Sequence, residues 1–181
     1  MGPIVAGHLA TVNGYTPRMA FATSATRLWK RLSREERLTA AIAFWREPPE
    51  AIVGAALGAI VKARRMRPQA ARALSEEARA NALAAVLDPD ESLAASLLVA
   101  LHLGSRRPLL SAFLDALGLP HDNGVLQEEE EGEASPPSAD ATARAVAALS
   151  AFPRHEVETY LNTLWLQDPE RWVNLETAAL N

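Results

Sequence analysis

The stretch that most constrains the fold is residues 88–118, DPDESLAASLLVALHLGSRRPLLSAFLDALG, because it has the pattern of two consecutive helices with little polar surface. Asp88 is a suitable N-cap, Pro89 suits the first helical position, and Glu91 completes a capping-box pattern. The residues that follow are almost all apolar up to Gly104, which we predict ends the helix in the left-handed conformation. A helix that is apolar on nearly every side belongs in a protein interior, so we expect it to be central.

The second helix of this stretch is predicted to begin at Pro108 and to stop at Gly118. Its leucines and Phe113 fall along a single stripe at helical spacing. A similar stripe, which includes Tyr160 and Trp165, occurs later in the chain. The fold class predicted from this periodicity is all-α.

A weak internal repeat suggests how the helices are arranged. The segments that start at Leu32 and Leu74 share the same order: Leu-Ser, a helix, a start rich in Pro and Glu, an apolar helix, paired arginines and a proline. Ser33 matches Ser75, and the period is about 42 residues. In period and order of elements the chain resembles HEAT- and armadillo-type helical repeats. We therefore expect either a short HEAT/armadillo-like array or an irregular multi-helix bundle that reuses the same capping signals.

Composition shifts divide the chain into four predicted segments. Residues 1–18 have no helical periodicity and are predicted to form an extended or disordered arm. Residues 19–120 are predicted to form the helical core. Residues 121–139 contain a glutamate run followed by Ser and Pro, which is typical of a linker or surface loop. Residues 140–181 are predicted to form a C-terminal helical unit docked on the core.

The overall composition is that of a globular protein, with 49% hydrophobic and 22% charged residues. The absence of cysteine excludes a disulfide framework and a thiolate metal site, and it suits a reducing compartment. The longest apolar run, residues 51–61, is too short to span a bilayer, and no secretory signal pattern is present. We expect a cytoplasmic protein that does not insert into a membrane.

Charge is distributed unevenly along the chain. Residues 1–120 hold 15 basic and 10 acidic side chains, whereas residues 121–181 hold 3 and 12. The paired arginines of the two repeats are predicted to lie together on one edge that binds a partner. The residues assigned to this edge are Lys62, Arg64, Arg65, Arg67, Arg106 and Arg107. One alternative is that these arginines cap helix ends within the chain, where the run Glu128–Glu131 would neutralise their charge. The other is that they contact nucleic-acid phosphates.

His102 is the single residue most suggestive of a ligand site, because it lies on the apolar helix just before Arg106 and Arg107. Two guanidinium groups near an imidazole oriented by Asp115 or Asp122 would make an anion or phosphate site. The alternative is a half-buried histidine at a helix C-terminus, where the helix dipole favours the imidazolium. No phosphate-binding loop, nucleophile elbow or zinc-protease motif is present. We therefore predict no catalytic residue, metal or cofactor.

The preferred function is a non-enzymatic protein–protein interaction or adaptor module that binds a protein partner or a second copy of itself. One alternative is a nucleic-acid-binding protein that uses the arginine edge, although a sequence pI near 5.6 disfavours it. The other alternative is a small-molecule or phosphate-binding enzyme around His102.

Overall fold

The computed structural model describes residues 21–127 and 135–178, and it confirms the all-α class. The predicted arm, residues 1–18, and the glutamate run lie outside the described residues. A two-stranded hairpin, β1 (His121–Asp122) and β2 (Val125–Leu126), is the only sheet in the described part of the chain. The helices are α1 (Ala25–Arg31), α2 (Arg34–Arg46), α3 (Glu50–Arg64), α4 (Pro68–Arg72), α5 (Glu76–Ala84), α6 (Glu91–Ser105), α7 (Arg107–Leu117), α8 (Ala139–Ala148), α9 (Arg154–Gln167) and α10 (Leu175–Ala178).

Several helices begin where their capping residues predict. The Ser33 hydroxyl accepts a hydrogen bond from the backbone N–H of Glu36 at 3.1 Å, and the Glu36 carboxylate accepts one from the backbone N–H of Ser33 at 2.8 Å. This reciprocal pair is the predicted capping box of α2. Ser75 caps α5 in the predicted position by accepting from the backbone N–H of Ala78.

The start of α6 differs from its prediction. The N-cap is Asp90 rather than Asp88, and its carboxylate accepts a hydrogen bond from the backbone N–H of Leu93 at 2.8 Å. Asp88 instead pairs with Lys30 of α1. Glu91 is then free to reach the N-terminus of α1, where its carboxylate accepts from the backbone N–H groups of α1 and from the Thr26 hydroxyl at 3.0 Å.

Gly104 does not end α6 as predicted, since the helix continues through Ser105. A Cβ placed on Gly104 would lie 2.6 Å from the Cβ of Ala43 in α2. Glycine at this position therefore allows α2 and α6 to approach closely, which is a packing role rather than a conformational one. Gly118, by contrast, ends α7 with φ of 70° and so confirms its predicted left-handed stop.

The buried apolar side chains form two clusters. Helices α1 to α6 supply the first, around Trp29, Phe44 and Leu97. Helices α7 to α10 supply the second, around Phe113 and Leu161. Helix α9 also contacts α6 and α1, so it packs on the first cluster as well. Helix α7 thus shares its core with the C-terminal helices, and the division of the chain at residues 120 and 140 stays a prediction.

The packing is that of an irregular bundle. Helix α2 packs chiefly against α6 and α5, and it makes far fewer close backbone contacts with α3, its neighbour in sequence. In a HEAT-like array the two helices of one repeat would pack against each other before the repeats stack. The described residues do not show that arrangement, so the HEAT/armadillo-like array stays a prediction.

Residues 121–126, predicted as part of a loop, form the β-hairpin. His121 pairs with Leu126 and Asp122 with Val125 across a two-residue turn. The turn residues Asn123 and Gly124 have φ of 47° and 84°, as a type I′ turn requires. Gly124 is buried against α7, where a Cβ would lie 2.7 Å from the Cβ of Leu110 and 3.2 Å from the carbonyl oxygen of Arg107.

We expect Gly124→Ala to lower the free energy of unfolding by about 3 kcal/mol, because it adds left-handed backbone strain to a steric conflict with α7. Gly118→Ala is the matched control, since Gly118 is also left-handed but a Cβ placed on it would have nothing within 4 Å. The control is expected to lose only about 1 kcal/mol. Urea unfolding of the two variants measures the difference, and equal losses would show that the hairpin does not pack on α7 as described.

Candidate functional site

Helix α3 is the least buried of the long apolar helices. Eleven consecutive apolar residues, 51–61, run through it, yet its fully buried residues are only Ala56 and Ile60. The opposite side of the helix is exposed to solvent. We call this side the outer face of α3, and it consists of Glu50, Ala51, Gly54, Gly58 and Lys62.

Gly54 and Gly58 are spaced about one helical turn apart on this face, a pattern that lets another backbone approach closely. Among the described residues, nothing lies within 4 Å of a Cβ placed on either glycine. No element of the described chain therefore uses the close approach that these glycines permit. The outer face of α3 stays an open surface with two small residues at its centre.

The two ends of this face carry opposite charges. Glu50 lies in the first turn of α3, with Glu47 just before it, and Lys62 lies in the last turn. All three side chains are exposed. Arg65 is the C-cap of α3, where its left-handed backbone, with φ of 50°, donates a hydrogen bond from its N–H to the carbonyl of Val61. Each charge therefore also complements the dipole at its own end of the helix.

Four of the six residues predicted to form the partner-binding edge share this basic end of α3 and the start of α4. They are Lys62, Arg64, Arg65 and Arg67, and all are exposed. The other two, Arg106 and Arg107, lie between α6 and α7 and are engaged internally. The Arg107 side chain donates to the carbonyl oxygens of Leu103 at 2.8 Å and Asn123 at 3.0 Å.

Arg106 is only 5% exposed, so the prediction that its guanidinium lies on an exposed edge is wrong. One of its terminal nitrogens donates to a carboxylate oxygen of Glu36 at 2.6 Å, and its Nε lies 3.9 Å from a carboxylate oxygen of Glu156. Burial opposes ionisation of Glu36, but hydrogen bonds from Ser33 and the charge of Arg106 outweigh it and lower the pKa of this carboxyl. Arg106 thus joins the first turn of α2 to that of α9.

His102 is buried rather than half-buried, with 3% of its surface exposed. Its Nε2 lies 3.0 Å from the hydroxyl oxygen of Thr163, and that hydroxyl donates its own proton to the carbonyl of Thr159 at 2.8 Å. Nε2 must therefore donate, which leaves Nδ1 as an acceptor. Nδ1 is buried and has no hydrogen-bond partner among the described residues.

The anion site predicted around His102 does not form. Burial, together with the nearby charge of Arg106, lowers the pKa of His102 to about 3, so the ring is neutral at pH 7. Neither expected carboxylate orients it, because Asp115 pairs with His121 at 3.1 Å and Asp122 lies in the hairpin. The prediction of an imidazolium favoured by the helix dipole is wrong for the same reason: burial outweighs the dipole.

Two groups at this position were not identified from the sequence. Tyr160 was assigned to the apolar stripe of α9, but its ring also packs edge-on against His102, with ring centroids 5.4 Å apart. Thr163 carried no signal at all, because a threonine within a helix is common and its partner is 61 residues away. Only the fold reveals that α9 places these side chains beside α6.

Residues 21–127 and 135–178 contain no group of three or more His, Cys, Asp or Glu side chains arranged to hold a metal ion. Within the same residues, no helix is long and apolar enough to cross a bilayer. Comparisons with protein-family models, with curated proteins and with solved structures gave no significant match. The function of the chain is therefore inferred from the chemistry of its own residues.

Proposed function

We propose that the chain is a non-enzymatic protein-interaction module whose docking surface is the outer face of α3, and that a second copy of the chain occupies this surface. The observation that carries the proposal is an exposed helix face with Ala51, Gly54 and Gly58 at its centre, where nothing lies within 4 Å of a Cβ placed on either glycine. Removing the apolar part of this face from water favours association. Glycines at the centre let two helices pack closely.

Charge complementarity favours a second copy as the occupant. Glu50 precedes Gly54 by four residues, and Lys62 follows Gly58 by four. In the antiparallel register that places Gly54 opposite Gly58 of the second copy, Glu50 lies opposite Lys62 of that copy. A two-fold axis repeats this pair, so the face is complementary to itself when antiparallel and repels itself when parallel.

We expect Gly54→Leu to weaken dimerisation by about 100-fold, because overpacking one site costs about 1–3 kcal/mol and a two-fold dimer contains that site twice. The same substitution adds a good helix former at an exposed position, so the monomer is expected to gain about 1 kcal/mol of stability. Sedimentation velocity measures the first effect and urea unfolding the second. A wild-type chain that sediments as a monomer at every attainable concentration would overturn the proposal.

A charge swap tests the antiparallel register separately. Glu50→Lys and Lys62→Glu each turn two attractive contacts into repulsive ones, and each is expected to weaken the dimer about tenfold. The double variant restores both pairs in reversed order and is expected to recover wild-type affinity. Glu76→Lys, in the first turn of α5, controls for the loss of a helix-dipole interaction. Failure of the double variant to recover would rule out this register.

The nucleic-acid alternative stays a prediction that the same protein can test. If the basic end of α3 binds phosphates, affinity for a mixed-sequence duplex falls steeply with salt and is lost when Arg64 and Arg65 are both replaced by alanine. Neither substitution alters Gly54 or Gly58, so the two activities are separable.

A cytoplasmic location is part of the proposal and rests on the absence of cysteine from the sequence.

A further inference from the structure

A cavity of about 180 Å³ lies beside His102, between α6, α7, α9 and the hairpin. Most of its lining is aliphatic, and α6, α7 and α9 supply this part through Val99, Leu103, Leu110, Leu114 and Leu164. Gly124, Val125 and Leu126 of the hairpin form one wall. The cavity is partly open to solvent, and the exposed side chains of Val125 and Gln167 belong to its lining.

The cavity excludes charged ligands by its composition. Among residues 21–127 and 135–178, none that lines it carries a formal charge at pH 7, because His102 is neutral there and both Arg106 and Arg107 are outside the lining. An ion placed in such a site would lose its hydration without gaining a counter-charge. The phosphate-binding function predicted for His102 is therefore not supported by this arrangement, whereas a neutral molecule would face no such penalty.

Two polar groups in the lining can bind a neutral ligand. The Tyr160 hydroxyl has no hydrogen-bond partner among the described residues, and burial raises the pKa of this hydroxyl so that it keeps its proton. His102 Nδ1 is the unpaired acceptor described above. His102 Nδ1 is buried without a partner, which is disfavoured, so a ligand that hydrogen-bonds to it gains more than an aliphatic one does. The Tyr160 hydroxyl is a second polar group in the lining that a ligand can hydrogen-bond to.

The geometry points to a binding site for a small neutral ring compound that carries one hydroxyl or N–H group, with Tyr160 as its polar contact. The size follows from the volume, since a cavity of about 150 Å³ is known to hold benzene. The apolar lining contacts the ring, and the Tyr160 hydroxyl contacts the polar substituent. This site is independent of the outer face of α3, and its residues do not overlap with those proposed for dimerisation.

Phenol and toluene are suitable probes because they have nearly the same shape and differ in one hydrogen-bonding group. Binding is measured by titration while following the methyl resonances of Leu103, Leu110 and Leu114. Phenol is expected to bind saturably and to shift these resonances, and benzoate, which is charged, is expected not to compete. No saturable binding of either phenol or toluene would overturn the inference.

The Tyr160→Phe variant tests whether the cavity binds its ligand through a specific hydrogen bond or through apolar contacts alone. It removes only a hydroxyl that has no partner among the described residues, so the fold is expected to be retained. Phenol affinity is expected to fall about tenfold while toluene affinity is unchanged. An equal effect on both probes, or on neither, would show that Tyr160 is not the polar contact.

A variant that fills the cavity with a larger side chain tests whether the probes bind in this cavity. Leu103→Phe places a ring in the cavity from a half-buried position of the lining. It is expected to abolish binding of both probes. Val99→Phe, also half-buried, is the second filling variant if the first unfolds. Phenol binding that persists in a folded filling variant would place the probe elsewhere and overturn the assignment.

Discussion

Replacement of Arg106 by alanine is expected to lower the free energy of unfolding by about 3 kcal/mol, the typical loss when one partner of a buried ion pair is removed. The Arg106 side chain is 4% exposed and hydrogen-bonds to Glu36 at 2.6 Å, so its loss leaves that carboxylate without its counter-charge. The substitution also disconnects the first turn of α2 from α9. Arg67→Ala, at an exposed arginine, is the control and is expected to change stability by less than about 0.5 kcal/mol.

A double-mutant cycle isolates the ion pair from the rest of the Arg106 side chain. Glu36→Gln removes the negative charge but keeps a residue that can complete the capping box with Ser33. Glu36→Gln alone is expected to destabilise the protein, and combining it with Arg106→Met is expected to restore part of that loss. Additive losses in the double variant would show that the two side chains do not interact energetically.

Acidification from pH 7 to pH 4.5 is expected to lower the free energy of unfolding by about 2–3 kcal/mol through His102 alone. The pKa of His102 is lowered from the ordinary 6.5 to about 3 in the folded protein. Between these values the unfolded chain binds a proton that the folded chain does not, so stability rises with pH. The contribution is complete above pH 6.5 and is lost progressively as the pH falls toward 3.

Denaturant unfolding as a function of pH measures this loss. His102→Gln removes the titrating ring while keeping a side-chain N–H for Thr163, and it is expected to flatten the curve between pH 6.5 and 4.5. Glu36, whose pKa is lowered from the ordinary 4.5, stabilises the folded protein above that pH, and this contribution is lost only as the pH falls below about 4.5. A His102→Gln curve as steep as wild type would assign the acid sensitivity to other groups.

Signals confined to one helical turn were sufficient to predict local structure. The capping box of Ser33, the cap at Ser75 and the stop at Gly118 depend on residues within a few positions of each other, so the sequence contains all the information. The start of α6 was misplaced because Asp88 and Asp90 are equally good caps. In the fold Asp90 takes the cap, and Asp88 pairs with Lys30 on another helix.

The arrangement around His102 and Arg106 could not be predicted, because its partners are distant in sequence. Glu36 is 70 residues from Arg106, and Thr163 is 61 residues from His102. Paired arginines after a helix are usually surface residues, and burial of one of them is a property of the assembled fold. Only the turn of the hairpin was detectable in the sequence, because Asn123-Gly124 is a strong turn signal. The flanking strands are too short to show the alternation that would identify them as strands.

The contacts of α1 impose an order on folding during synthesis. Glu91 holds the N-terminus of α1, and the backbone N–H of Ala22 donates to the side chain of Asn162, 140 residues later in the chain. At about 5–20 residues per second, the ribosome needs roughly 7–28 seconds to make the intervening chain. Helix α1 therefore emerges well before the residues that complete the contacts at its N-terminal end. The Trp29 side chain, fully buried in the finished protein, donates a hydrogen bond to the carbonyl of Val86 at 2.8 Å, so it lacks that partner until the chain has been extended by 57 residues.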